Sequence, residues 1–208
     1  MTVPSPPPPS PRRRPQRQGL IAAAPRQATA LVILDMISDW DFPDGAVLLR
    51  QAARVAPAIA ALKARCVAGR IPVIYANDNH GQWRSDFAFV VRRALESPGP
   101  GAALTQRLEP ADGDYFVLKP KHSAFFATPL EILLDHLRTR RLVVAGVTSD
   151  QCVAATVADA RMRDFEVAVP RDCVATLSAA RNRRALQHFE EVQAVPTTAS
   201  IHLRLDRH

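Results

Sequence analysis

Short runs of apolar, β-branched residues alternate with longer helical segments along most of this chain. The short runs predict strands at 29–35, 72–77, 114–119, 141–147 and 165–170, with a last short strand within 192–201. The segments between them predict helices at 46–69, 85–96, 128–139, from about 149, and at 178–191. Strands that alternate with helices pair in parallel, so this order predicts a three-layer α/β/α sandwich around a mostly parallel, doubly wound sheet of about six strands.

Local signals sharpen several of these predictions. The first strand, TALVILD, is apolar throughout, as expected of a strand that is buried on both faces. The alanine-rich helix at 46–69 ends at Gly69, and Pro57 predicts a kink or a break within it. Thr128 is the predicted cap of the helix that follows it, and the segment ESPGPG at 96–101 predicts a loop.

The chain of 208 residues has a net charge of +7, most of which lies at its N-terminus. Residues 1–26 contain five arginines and no acidic residue, so the other 182 residues have a net charge of +2. The prolines and arginines of this tail predict disorder, and residues 27–208 predict one domain. The small charge of that domain argues against a specific nucleic-acid surface.

The three cysteines indicate a reducing compartment. Cys66, Cys152 and Cys173 cannot all pair, and they have no CxxC spacing. The segment GLIAAAP is a poor secretory core, and no uninterrupted apolar run approaches the ~20 residues of a membrane helix. We therefore expect a cytoplasmic protein without a membrane partner.

Polar or reactive residues follow four of the predicted strands. Asp35 ends the first, Asn77 and Asp78 end the second, Lys119 ends the third, and Cys152 follows the fourth. The carboxyl ends of parallel strands lie at one edge of the sheet, where ligands bind. A carboxylate, an ammonium and a thiol at that edge could supply a base, a cation and a nucleophile.

Each of these residues also has an ordinary structural explanation. Cys152 lies in the first turn of a predicted helix, where the helix dipole would favour the thiolate, but an unpaired cysteine is also a common core residue. Asp35 could cap a turn, and Lys119 could be a solvated lysine at a strand end. Their shared position favours the functional interpretation.

Three segments together resemble the signature segments of the isochorismatase-like cysteine hydrolases, a family that includes nicotinamidases and N-carbamoylsarcosine amidase. They are DMISDW at 35–40, KPKHSAF at 119–125 and GVTSDQCV at 146–153. The resemblance covers nearly all of 29–195. It implies a catalytic triad of Asp35, Lys119 and Cys152, a cis peptide between Val147 and Thr148, and an oxyanion hole formed by the backbone N–H groups of Thr148 and Cys152.

The resemblance also implies a reaction and an assembly. A retained cysteine favours amide or carbamoyl substrates, which would be cleaved through a thioester, over the vinyl ether of isochorismate, whose hydrolysis needs a proton donor. A small-molecule amide is the expected partner, and family members commonly form dimers or tetramers. Side chains expected to contact the substrate are Trp40, Asn77, Trp83, Arg84 and Phe125.

Nicotinamidases in the family bind a divalent metal, and part of that site is present here. Asp78 and His80 reproduce an Asp-x-His pair, but the next expected histidine falls near Asp86. A zinc site normally has three or four protein ligands. We therefore expect neither a metal nor another cofactor.

Parts of the sequence are also compatible with other functions and with another nucleophile. The chain could hydrolyse another small metabolite, or be a non-enzymatic scaffold with the basic tail as its interaction element. No GxGxxG follows the first strand and no GxxxxGK[ST] occurs, which argues against a nucleotide-binding protein. Cys66 is expected in the core, Ser123 is expected to hold its loop in shape, and Cys173 is the competing candidate nucleophile.

Overall fold

The computed structural model describes residues 28–79, 81, 84 and 86–205. The predicted disordered tail, His80 and Trp83 lie outside the described residues. The described residues form six strands and six α-helices, with a π-helical turn at Ser149–Val153 and a 3₁₀ turn at Ser200–His202.

The strands form one sheet in which every pairing is parallel. They are β1 (Ala28–Leu34), β2 (Val73–Asp78), β3 (Tyr115–Lys119), β4 (Thr139–Val147), β5 (Glu166–Ala168) and β6 (Val174–Ala175). Their spatial order is β3-β2-β1-β4-β5, and β6 pairs with the end of β4. The predicted parallel, doubly wound sheet is confirmed.

The helices cover both faces of this sheet. They are α1 (Gly45–Ala68), α2 (Phe87–Glu96), α3 (Pro100–Arg107), α4 (Leu130–His136), α5 (Ala154–Met162) and α6 (Ala179–Glu191). Side chains of α1, α2 and α3 belong to one hydrophobic core, and side chains of α4, α5 and α6 belong to a second core. This arrangement confirms the predicted three layers.

The strand β1 shows why its sequence is apolar throughout. Successive side chains of a strand point to opposite faces of the sheet. Leu31 and Ile33 therefore lie in the first core, whereas Ala30, Val32 and Leu34 lie in the second. All five are fully buried.

The helix α1 continues through Pro57 without the predicted break. Pro57 and Ala53, whose carbonyl loses its partner in the next turn, both lie on the exposed side of the helix. Water can therefore satisfy that carbonyl, and the apolar side of the helix packs undisturbed on the sheet.

The helix α1 is also long and apolar enough to span a membrane, judged by length and composition alone. Its buried residues are Gly45, Leu48, Ala52, Ala56, Ile59, Leu62 and Cys66, and all of them except Gly45 belong to the first core. Charged residues such as Arg50, Arg54 and Lys63 interrupt the rest of the helix. Packing on the sheet accounts for its apolar composition.

Two elements differ from the sequence-based prediction on either side of β3. The segment ESPGPG is only partly a loop, because Pro100 begins α3, where a missing N–H costs nothing. The helix predicted at 128–139 is shorter, since Arg138 adopts a left-handed conformation (φ 53°) that turns the chain into β4.

The sixth strand is β6 rather than the strand predicted within 192–201. The chain at Pro196 and Thr197 runs beside Val169 and Arg171, and its carbonyls accept two backbone hydrogen bonds of 3.0 and 3.4 Å. Pro196 has no N–H to return, so the segment does not form a regular ladder. The prediction of a last strand there was wrong.

Candidate active site

The order of the strands reverses between β1 and β4, and the candidate residues lie at this switch point. Asp35 follows β1 directly, and Cys152 lies in the π-helical turn after β4. Crevices at such points are the usual ligand sites of open parallel sheets. Lys119 ends β3, two strands away from β1, and its long side chain reaches back to the same place.

Lys119 is the central residue of this group, and it is fully buried. Its Nζ lies 2.9 Å from Asp35 Oδ2 and 3.5 Å from Cys152 Sγ. It also donates to the carbonyl of Lys121 at 3.3 Å and lies 3.7 Å from Asp78 Oδ2. The ammonium therefore bridges a carboxylate and a thiol.

The protonation of these groups follows from their surroundings. Burial alone would lower the pKa of Lys119, but the negative charge of Asp35, its hydrogen bond to the ammonium and the charge of Asp78 act against burial, and the pKa is raised, so the side chain is an ammonium. Burial raises the pKa of the Cys152 thiol to about 12; the Asp35 carboxylate acts in the same direction, and Lys119 opposes both. The resting group is a neutral thiol.

The position of Cys152 differs from the sequence-based prediction. Cys152 is not in the first turn of a regular α-helix, because Ser149–Val153 form a π-helical turn that precedes α5. Burial and the neighbouring Asp35 carboxylate raise the pKa of this thiol. Deprotonation of the thiol therefore needs a local base.

The backbone around the turn has several unusual features. The peptide bond between Val147 and Thr148 is cis. Gly146, with φ 111°, lies so close to β1 that a Cβ atom would be 2.1 Å from the carbonyl oxygen of Leu34. Asp35 and Trp40 both have left-handed backbones, with φ of 52° and 60°. Such conformations are uncommon for a side chain as large as tryptophan and tend to occur at functional sites.

The residues that follow β1 and β4 border a cavity of about 210 Å³. Its described lining combines an apolar wall with polar groups: Asp35, Ser38, Trp40, Phe42, Leu48, Asn77, Asp78, His122, Val147, Thr148, Gln151 and Cys152. Trp40, Asn77, Thr148 and Cys152, all of which the sequence pointed to, thus lie together. The volume suits a ligand of roughly ten heavy atoms or fewer.

Two predicted substrate-binding residues do not line this cavity. Phe125 is buried in the second core, where its ring lies 5.9 Å from that of Phe165. The loop directs the Phe125 side chain inward because the Ser123 hydroxyl donates to Asp159 Oδ2 and accepts from the N–H of Phe125. These two hydrogen bonds confirm the prediction that Ser123 holds the loop in shape. Arg84 is exposed and away from the lining.

His122 is a cavity residue that sequence reasoning missed. Its Nδ1 lies 3.6 Å from Cys152 Sγ. It lies three residues after Lys119 in the KPKHSAF segment. That position, close to a predicted catalytic residue, was the sequence signal that could have identified His122. The sequence alone did not show that the loop after β3 turns this ring over the thiol.

The other two cysteines are buried away from the cavity. Cys66 and Cys173 are both fully buried in the first core. Burial raises the pKa of each thiol to about 12. The prediction of Cys66 as a core residue is confirmed, and the burial of Cys173 argues against it as a nucleophile.

The side chains in the described part of the site can exchange protons and supply a nucleophile. Within residues 28–79, 81, 84 and 86–205, no group of three or more His, Cys, Asp or Glu side chains is placed to hold a metal ion. Asp78 Oδ2 lies 3.7 Å from Lys119 Nζ, and His80, the other residue of the Asp-x-His pair, lies outside the described residues.

Residues 29–201 match the family model for the isochorismatase domain. The chain belongs to the isochorismatase family of hydrolases. Among characterised and uncharacterised relatives, an isochorismatase-family protein of Bacillus subtilis is 35% identical over 78% of this chain and 89% of its own length. Ureidoacrylate amidohydrolase of Serratia proteamaculans is 32% identical over 70% of this chain and 68% of its own.

A solved structure shares the fold of this isochorismatase-family chain. The isochorismatase-family protein of Desulfovibrio vulgaris superposes with a TM-score of 0.69 at 24% identity, covering 84% of this chain and 95% of its own.

Proposed function

We propose that this protein is an amidohydrolase that cleaves a small amide or carbamoyl compound through a Cys152 thioester. The observation that carries the proposal is the position of the Lys119 ammonium, 2.9 Å from Asp35 and 3.5 Å from Cys152, beside a cavity of about 210 Å³. The similarity to a ureidoacrylate amidohydrolase supports the choice of an amide over another bond.

In the proposed first half-reaction, Asp35 takes the thiol proton while the sulfur attacks the carbonyl carbon. The electron pair of the carbonyl moves to oxygen, and the backbone N–H groups of Thr148 and Cys152 stabilise the oxyanion. The tetrahedral intermediate then collapses. Its C–N bond breaks, Asp35 returns the proton to the leaving nitrogen, and a thioester remains.

In the second half-reaction, water attacks the thioester with Asp35 again accepting a proton. The C–S bond breaks, the acid leaves, and the sulfur recovers its proton. Lys119 remains an ammonium throughout and stabilises the thiolate as it forms. The raised pKa of Cys152 supports this order, since a neutral resting thiol needs a base at the moment of attack.

The proposal is tested by measuring ammonia release from a panel of small amides. The panel contains nicotinamide, N-carbamoyl amino acids, ureidoacrylate, maleamate and maleamide. For any amide that is hydrolysed, Cys152→Ala should lower kcat/KM by about 10³-fold or more, the loss expected when a nucleophile is removed.

Cys66→Ala is the matched control, because it removes a thiol that is buried in the core. It should retain turnover at a temperature where the protein is folded. Undiminished hydrolysis by Cys152→Ala would exclude the thioester, and loss of activity in Cys66→Ala but not in Cys152→Ala would assign the reaction elsewhere.

A further inference from the structure

The two edges of the sheet differ in how they are covered. Beyond β5, the chain at Pro196 and Thr197 runs beside Val169 and Arg171 and accepts a backbone hydrogen bond from each. At the other edge, β3 pairs with β2, and no segment of the described part of the chain pairs with its outer side. An open strand edge presents backbone groups that readily pair with another chain.

The register of β3 shows which of its backbone groups point outward. The N–H of Asn79, just after β2, donates to the carbonyl of Lys119 at 3.2 Å, so the backbone groups of Lys119 face β2. Successive residues of a strand direct these groups to alternate sides. Phe116 and Leu118 therefore direct two N–H and two C=O groups away from β2, and these groups have no backbone partner within the described residues.

Large apolar side chains surround this open edge. Phe116 is 53% exposed and Tyr115 is 38% exposed, and Ile132 on α4 is 74% exposed. With Val117 and Leu133 they line a groove of about 500 Å³ between β3 and α4. Exposed aromatic and aliphatic side chains that form one continuous surface are typical of a protein interface.

A second copy of β3 is complementary to this edge. A two-fold axis beside Val117, perpendicular to the sheet, makes the two β3 strands antiparallel and places Phe116 opposite Leu118 of the partner subunit. Opposite residues of an antiparallel pair can exchange both N–H···O bonds. All four outward groups of each copy then find partners, and the two α4 helices lie on the same face of the joined sheet.

The charges at the two ends of β3 favour this antiparallel arrangement. Glu109 and Asp112 precede the strand and Lys121 follows it, and all three side chains are exposed. In an antiparallel pair, the acidic end of one strand lies beside the basic end of the other. A parallel pair would bring like charges together, so the charge pattern selects a second copy in this one orientation.

We propose that β3 joins two copies of this chain into a symmetric dimer with one continuous sheet. The segment 120–122, which carries the cavity residue His122, then borders the partner subunit. The inference concerns assembly alone, so it stands or falls independently of the proposed amidohydrolase function.

Sedimentation equilibrium of the full chain tests the assembly. The wild type should have the mass of two chains, and Ile132→Lys should raise the Kd of the dimer by about tenfold or more, because it places a charge in the apolar interface. Val192→Lys is the matched control, since Val192 is 69% exposed and follows α6, which packs beside β6. A monomeric wild type, or equal effects of the two variants, would overturn the proposal.

An exchange of charges tests the antiparallel orientation. Asp112→Lys and Lys121→Asp should each raise the dimer Kd several-fold, because each brings like charges together at both ends of the joined strands. The double variant should return the Kd to within about threefold of the wild-type value. Both side chains are exposed, so folding should be preserved. A double variant that is no better than the two single variants would exclude this pairing.

Hydrogen exchange at single-residue resolution tests the strand pairing itself. The amides of Phe116 and Leu118 should exchange at least about tenfold more slowly well above the dimer Kd than well below it. Amides of the central strand β1 are the internal control, because they should be protected at both concentrations. Equal exchange of Phe116 and Leu118 at both concentrations would place any dimer interface elsewhere and overturn the proposal.

Discussion

At the scale of single residues, the protonation of Cys152 depends on burial, Asp35 and Lys119. Burial raises the pKa of the thiol, the Asp35 carboxylate raises it further, and the Lys119 ammonium lowers it. In the proposed mechanism the same carboxylate accepts the thiol proton. Asp35 thus adds to the effect of burial at rest and, in that mechanism, removes the proton during attack.

Asp35→Asn should separate these two effects. Loss of the negative charge lowers the pKa of Cys152, since only burial then opposes Lys119, so alkylation by iodoacetamide near pH 7 should become faster. Turnover should nevertheless fall by about 10²-fold or more, because the base is gone. Alkylation rates from mass spectrometry and ammonia release measure the two outcomes on one preparation; slower alkylation together with lost turnover would contradict this account.

His122 invites a second test at this scale. His122→Phe keeps a ring over the thiol but removes the nitrogen that lies 3.6 Å from Cys152 Sγ. If the imidazole contributes to proton transfer, kcat should fall by about tenfold or more. An unchanged kcat would leave His122 as a wall of the cavity.

At the scale of elements, much of the site could be predicted because parallel strands end at one edge. Asp35, Asn77 and Lys119 could be assigned to strand ends from hydrophobic patterns alone. The errors arose where local signals were weak or misleading. The composition around Pro100 predicts a loop, although proline also suits the first turn of a helix, and β6 has only two residues, too few for a recognisable pattern.

The contacts of loops could not be predicted in the same way. Phe125 and His122 lie three residues apart in one segment, yet one packs in the core and the other lines the cavity. The bonds of Ser123 to Asp159 and of the N–H of Ala124 to Thr156 Oγ1 decide this, and they join residues more than 30 positions apart. No local pattern encodes such a contact.

Gly146 provides a prediction about the junction of β1 and β4. Gly146→Ala would place a Cβ 2.1 Å from the Leu34 carbonyl oxygen at a backbone φ of 111°. We expect a loss of about 3 kcal/mol or more in the free energy of unfolding, measured by urea denaturation. Gly113→Ala is the control, because its Cβ would meet no atom within 4 Å; an equal cost for both variants would contradict the proposed close approach.

At the scale of the whole molecule, the three cysteines link stability to alkaline pH. Each has a pKa of about 12 in the folded chain instead of about 9. Above pH 9 the unfolded chain loses thiol protons that the folded chain keeps, so the unfolded state binds fewer protons. The free energy of unfolding must then fall as the pH rises from 9 towards 12.

The fully buried Cys66 allows this linkage to be measured. Each such thiol contributes a slope of up to about 1.4 kcal/mol per pH unit in that range. Cys66→Ala should therefore show a shallower decline of the free energy of unfolding between pH 9 and 10.5 than the wild type, in urea titrations with a reductant present. Parallel declines would show that Cys66 ionises equally in both states.

The buried ammonium of Lys119 has a further consequence for the durability of the proposed catalyst. A neutral amine 3.5 Å from an acyl-bearing sulfur would capture the acyl group as a stable amide and inactivate the protein. The carboxylates around Lys119 hold its nitrogen protonated, and a protonated nitrogen has no lone pair with which to attack. The same ion pairs that align the site thus protect the enzyme from acylating itself.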